Sequence, residues 1–378
     1  MTDRRRRKYE DEFAKFKDAC GARSFALGRH ALAILLKALD IQPGDKVGVC
    51  AFTCLAVVEG IKVCGAVPIY LDIDEHLCID PQEILIHEKG TLKAVILQHT
   101  FGNPGRLDEL LAACKKINAI IIEDCAHSLH SAWNGKKLGT FGAGAVCHGG
   151  MLTVNSNELL DKVDEQIKML AQPTSTQSEL LPAFLKTLYQ PFHQSRLDCF
   201  LGYNYSRLRG ILKQKGSSFL PRRFASQKRS SGGVWPPLAG FPRLSGEMKA
   251  KAGLKQLQNH NRLQQVRLDN TAMIEDAFGK AGLSICPRHP KAELSLMRYP
   301  LRVYKKWEKV HQAGSRGLDI AGWYNSPIHP LTGDDLAKVD YKEGCCPRSE
   351  GTIERLAHLP TDESPDRNKL EAMIRILY

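Results

Sequence analysis

The sequence predicts an α/β fold, a mostly parallel sheet flanked by helices, carrying a smaller α+β lobe at its C-terminal end. Two observations predict it. Short apolar, β-branched runs alternate with segments of helical periodicity through the first 150 residues, and each is separated from the next by a turn signal. After Leu160 that alternation gives way to helical and loop-rich sequence, as expected where a second unit is built.

The elements follow in order. Ala31, Leu32, Leu35, Leu36 and Leu39 recur at helical spacing until Pro43-Gly44-Asp45 forces a turn. Lys46–Cys50 reads as a strand, Ala56–Cys64 as a helix and Ala66–Ile73 as a strand. Lys93–Gln98 is the next strand, and Arg106–Ile117 is a helix that turns Leu107, Leu110, Leu111 and Cys114 inward. Ala119–Ile122 is apolar throughout, as a strand covered on both faces must be. Gly144–Cys147 and Met151–Val154 read as two further strands. Beyond a Gly-, Pro- and Ser-rich stretch, Met248–Ala277 is expected as one long helix and Ser295–Val303 as a strand. Residues 1–242 therefore form the large lobe and residues 243–378 the linking helix and small lobe.

Composition narrows the function classes. At 378 residues and 43% apolar content the chain can bury a large core. No apolar run is long enough to cross a bilayer, and Met1–Phe13 is charged where a signal peptide would be apolar, so a cytoplasmic protein is expected. The twelve cysteines lack framework spacing and read as reduced, buried thiols. No metal site is expected, because Cys50 and Cys54 have no matching second pair and Cys345-Cys346 lies far in sequence from His329 and His358. Of the net charge of +12, the segment Arg196–Arg229 supplies +8 (nine Lys or Arg against Asp198). Such a stretch suits a phosphorylated ligand or a solvated loop.

Open parallel sheets bind ligands beyond the carboxyl ends of their strands, which draws Gln98–Gly102 and Glu123–Ser128 to one candidate site. Asp124 arrives there at the end of an apolar strand, where it either caps a turn or pairs with a cationic ligand atom. Gly28-Arg29-His30 opens a helix, and a helix start offers free N–H groups to an anion.

Seven segments, taken in order, resemble the DegT/DnrJ/StrS family of sugar aminotransferases. They are Gly28–Leu32, Leu39–Val47, Ala51–Cys54, Gly65–Asp74, Gln98–Gly102, Ile122–His127 and Leu138–Gly142. Later stretches, Gly253–Leu257, Trp323–Pro327 and His358–Thr361, are similar to the same family. The resemblance implies a pyridoxal-phosphate fold of type I, a homodimer and a nucleotide-linked keto sugar as ligand. It implies that Asp124 holds the pyridine nitrogen, that His127 reaches the phenolic oxygen, and that the amides near Gly28, Arg29 and His30 take the phosphate. Where many relatives carry a stacking ring this chain has Cys54, and Phe52 either stands in for that ring or, as the reading its sequence favours, fills the core. One departure is decisive: between Val146 and Gly149-Gly150, where relatives carry a Ser-x-x-Lys loop, only Cys147 and His148 remain. Without a Schiff-base lysine, ordinary transamination is not expected. The cofactor, pyridoxal or pyridoxamine phosphate, would then be held non-covalently if at all. Three readings stay open: an aminotransferase homologue of surface polysaccharide synthesis, a ligand-binding or scaffold protein, and a pyridoxamine-dependent dehydratase using His148 as base.

Overall fold

A computed structural model describes residues 2–173, 241–283, 286–362 and 367–378. The basic segment Arg196–Arg229 lies outside the described residues. The central sheet has seven strands, in the spatial order Gly21–Ser24, Met151–Val154, Gly144–Cys147, Ile120–Cys125, Ala94–Gln98, Lys46–Cys50 and Val67–Leu71. The last five run parallel, and the first two pair antiparallel at one edge. Each of the first five expected strands and helices is present within a few residues.

Period-two alternation decides which side chain meets which face. Ile96, Ile122 and Val146 turn toward the helix Gly28–Ala38, whose Leu32, Leu35 and Leu36 complete one core. Val95, Leu97, Cys125 and Cys147 turn the other way, under Tyr9 and Phe13 of the helix Thr2–Lys17 and under the helix Leu107–Ile117. A third core lies toward the C-terminus, where the hairpin-like pair Arg298–Arg302 and Leu356–Pro360 packs with Ile274, Phe278, Met373 and Ile376.

Two expected elements differ. Met248–Ala277 is two helices, Glu247–Gln258 and His260–Lys280, because Asn259 leaves helical geometry (φ −106°, ψ 11°). Its side-chain amide donates to the Lys255 carbonyl at 3.0 Å, satisfying a group that a continuous helix would have bonded itself. The strand expected over Ser295–Val303 pairs only from Arg298 to Arg302. Upstream of it the backbone serves other partners: Ser295 N–H donates to Ser131 Oγ at 3.1 Å and Met297 N–H to the Phe101 carbonyl at 2.8 Å.

The strands Gly144–Cys147 and Met151–Val154 are joined by His148-Gly149-Gly150 alone, with Cys147 and Met151 paired directly. Both glycines sit at positive φ, but only Gly150 is enclosed: an added Cβ would lie 2.8 Å from the Phe25 carbonyl oxygen and from the Leu27 carbonyl carbon. Gly150→Ala is therefore expected to cost about 2–3 kcal/mol, while Gly149→Ala, which meets nothing within 4 Å, costs only about 1 kcal/mol of backbone strain. Urea-unfolding midpoints of the two variants check this; equal midpoints would refute the close packing of the turn.

Candidate functional site

The crevice lies where the parallel strands end. Cross-strand register sets Gln98 beside Asp124 and Asp124 beside Val146, so three adjacent strands deliver these side chains to one place. With Gly28, Arg29, Leu32, Cys54, His127 and Tyr324, they line a partly open cavity of about 220 Å³. Its walls are largely apolar, with a few polar groups converging at the floor, the usual make-up of a small-molecule site.

Gln98 is locked before any ligand arrives. Its amide donates to the Phe52 carbonyl at 2.8 Å and to Thr100 Oγ1 at 2.9 Å, and its oxygen accepts from Thr53 Oγ1 at 2.6 Å. Asp124 Oδ1 accepts from the Ala126 amide at 3.0 Å. No hydrogen bond among the described residues engages its other oxygen. Burial pushes this carboxyl above its ordinary range, against the pull of the Ala126 amide and of His99. A cationic ring nitrogen placed there would reverse that shift.

His127 accepts the Phe101 N–H on Nδ1 at 3.3 Å and lies parallel to the Phe101 ring, 8° from coplanar with centroids 5.8 Å apart. Nε2 is thus the nitrogen that carries hydrogen. Burial, with smaller contributions from His148 and Arg267, pushes His127 down to about 4, so the imidazole is a neutral donor at neutral pH.

The helix Gly28–Ala38 starts at the crevice without a side-chain cap, since Leu27 occupies the N-cap position. Gly28 and Arg29 line the space, and the Arg29 guanidinium pairs with Glu59. His30 does not face it. Its ring packs edge-on against Phe241 at 4.8 Å, and its Nδ1 accepts the Arg243 N–H at 3.1 Å. Phe52 is absent from the lining too: its fully buried ring stands edge-on to Tyr324 at 4.8 Å. Tyr324 itself lines the crevice, and nothing in its local sequence pattern marks it for that place. His148 is exposed at the turn and near enough to His127 for its charge to act there.

Among the described residues no lysine lines the crevice. Lys137 donates to the Phe16 carbonyl at 2.6 Å and pairs with Asp18, and Lys136 sits over the Phe141 ring, both away from the crevice. Among the described residues no helix is long and apolar enough to cross a membrane.

Comparison with known proteins completes the description. Residues 1–179 match the profile of the DegT/DnrJ/EryC1/StrS aminotransferase family. GDP-perosamine synthase of Vibrio cholerae is 34% identical over 167 residues, covering 41% of this chain and 46% of that protein. The dTDP-3-amino-3,6-dideoxy-alpha-D-galactopyranose transaminase of Aneurinibacillus thermoaerophilus is 32% identical over 171 residues, 41% of this chain and 47% of that one. The chain thus matches about half the length of these curated relatives. The crystal structure of DesV from S. venezuelae superposes with a TM-score of 0.71 at 19% identity, covering 98% of this chain and 88% of that chain. The fold is therefore that of the pyridoxal-phosphate-dependent aminotransferases.

Proposed function

We propose that this chain, whose residues 1–179 match the DegT/DnrJ/EryC1/StrS aminotransferase family, binds a pyridoxal- or pyridoxamine-phosphate cofactor without a covalent bond. We propose as its ligand a nucleotide-linked keto sugar of surface polysaccharide synthesis, on which it does not perform ordinary transamination. One observation carries this reading: the crevice has an acid at its floor and a neutral imidazole donor beside it, and no lysine among the described residues lines it.

Each residue role follows from its environment. Asp124, with one oxygen uncommitted, would hold a protonated ring nitrogen. His127 Nε2–H would donate to a ring oxygen. The uncapped start of the helix Gly28–Ala38 would take the phosphate, with Gly28 giving it close access. Bound there, the cofactor would supply an electron sink for charge developing on the ligand. The described residues can then bind, orient and exclude water, but among them no amine stands at the floor to attach the cofactor or move the proton. His148, within electrostatic reach of His127, supports a second reading in which it carries the proton in place of lysine. Pairing of two chains across this crevice, as in a homodimer, belongs to the same proposal.

Absorbance titration with each cofactor form, then borohydride reduction and mass spectrometry, tests the reading. Expected is reversible binding with no lysine adduct, weakened about 10- to 100-fold in Asp124→Asn through loss of a charge-assisted hydrogen bond. A stable pyridoxyl adduct on any lysine, or unchanged affinity in Asp124→Asn, overturns it.

A further inference from the structure

In the turn that runs from Lys342 to Cys346, two neighbouring cysteines bring their thiols together: Cys345 Sγ–H donates to Cys346 Sγ at 3.7 Å. Adjacent residues of an extended chain point to opposite sides, so this meeting has a local cause. Gly344 turns the chain at φ 85°, and Cys346, at φ −134° and ψ 71°, falls short of the ψ of a strand. Cys345 is exposed, whereas Cys346 is 1% exposed. We propose that the pair is a redox-responsive modification site, which closes to a reversible vicinal disulfide by exchange with a low-molecular-weight disulfide of the glutathione class and so draws Cys346 from the packed cluster beneath it.

Unequal exposure divides the roles. Cys345, open to solvent, is the thiol that an incoming disulfide can reach, and Cys346, shielded and in contact with it, is the resolving thiol. Burial, with the charge of Cys345 second, pushes the Cys346 thiol up, which leaves the first attack to Cys345. The Cys345 thiolate attacks one sulfur of oxidised glutathione, forming a mixed disulfide and releasing one glutathione thiolate. Cys346 then gives its proton to solvent and attacks the Cys345 sulfur, forming the internal bond and releasing the second glutathione. The two protein thiols give up two electrons and two protons, and the glutathione disulfide takes both to become two thiols. Cys125 and Cys147 are also neighbours, across two strands, but both are buried and offer such a reagent no sulfur.

Chain geometry makes the bond reversible. Neighbouring Cα atoms stand about 3.8 Å apart across a trans peptide, closer than the roughly 4.4 Å from which disulfides are ordinarily built. Strained, exposed disulfides are the ones that thiols reopen most easily. A bond between neighbours also closes too small a loop to restrict the unfolded chain, so no entropic gain offsets the strain. Closing the sulfurs from 3.7 Å to a bond length of about 2.05 Å draws them together by about 1.6 Å. The Cys346 sulfur starts within a cluster that includes Ala51, Val58, Ile328 and Tyr341, and the Cys346 carbonyl accepts the Glu350 N–H at 3.1 Å. Ile328 in turn pairs with Thr53, next to the crevice-lining Cys54. Oxidation therefore disturbs packing that continues to one wall of the crevice.

The test exposes the reduced full chain to oxidised glutathione under native conditions and blocks the remaining thiols with iodoacetamide. Mass spectrometry then reads the tryptic peptide Glu343–Arg348. Expected is an unalkylated peptide lighter than the dithiol by two hydrogens, returned to two alkylatable thiols by excess reduced glutathione. The oxidised chain should also show a lower urea midpoint than the reduced one. Cys346→Ser should trap glutathione on Cys345. Cys345→Ser should leave Cys346 unmodified and abolish the midpoint shift, although it keeps the exposed Cys20. A wild-type peptide alkylated at both sulfurs, or carrying glutathione without the internal bond, overturns the proposal. So does a bridge that reduced glutathione cannot open, or an equal midpoint for the two forms. Should Cys346→Ser fail to fold, the wild-type peptide and Cys345→Ser decide, since the exposed Cys345 can be replaced without opening the core. None of these measurements uses the pyridoxal-type cofactor, so the outcome is independent of the crevice's function.

Discussion

Glu123→Ala is expected to destabilise the chain by about 3–5 kcal/mol, a large share of the roughly 5–15 kcal/mol that holds a typical domain folded. Glu123 is completely buried and accepts four hydrogen bonds, three from backbone amides in the turn Gly139–Gly142 and one from His99. Against the effect of burial, which raises a carboxyl pKa, His99 and the Gly139 and Gly142 amides hold Glu123 below its ordinary range. Burial acts on His99 as well, yet its bonds to Cys125 and Glu123 raise it to about 9. Alanine would leave three donors unsatisfied and an imidazolium without its counter-charge. Glu123→Gln keeps the shape but one of its two positions can no longer accept, so a smaller loss, roughly 2 kcal/mol, is expected. Denaturant midpoints measure both. A loss under about 1 kcal/mol for the alanine variant would show that the turn finds other partners.

The sign of the pH dependence of this pair is fixed by the two shifts. His99, raised, contributes fully below its unfolded value of about 6.5 and loses that contribution as pH climbs through 9. Glu123, depressed, contributes above the ordinary carboxylate range and loses it as pH falls below that range.

The second large effect is acid sensitivity of the whole fold. Burial pushes His30, His127 and His130 down to about 4 and His358 well below its ordinary value. All four are folded in the neutral form. Their contribution is present above about pH 6.5 and is lost as pH falls toward 4, because the unfolded chain takes up protons that the folded one refuses. At about 1.4 kcal/mol per pH unit for each group, discounted for the partial exposure of His127 and His130 and for the small opposing gain at His99, stability should drop by roughly 3–5 kcal/mol between pH 7.5 and pH 5. Urea midpoints at the two pH values check this, and His130→Gln should flatten the slope. His130 is the apt choice because neither of its ring nitrogens has a partner among the described residues. An unchanged midpoint would mean that these imidazoles reach water in the folded chain.

Much of the scaffold could be read before any coordinates. Strand and helix periodicities placed the parallel strands within a few residues, because each buries a face through its own local spacing. Asp124, Gln98 and the start of the helix at Gly28 could be assigned to one edge of the sheet, since parallel strands all end on the same side. The short link from Cys147 to Met151 was equally legible, because a strand pair joined by three residues has little freedom.

What local pattern could not decide was the direction a side chain takes once several elements meet. His30 lies two residues from Gly28 yet turns onto Phe241 and Arg243, more than two hundred residues away. Phe52, for which a core role and a stacking role both stood open, takes the core role against Tyr324, and Tyr324 takes the place in the lining. Periodicity follows from forces along one segment and fixes which face is buried, whereas the identity of the neighbour across that face comes from close packing of segments distant in the chain, which only the assembled tertiary structure supplies.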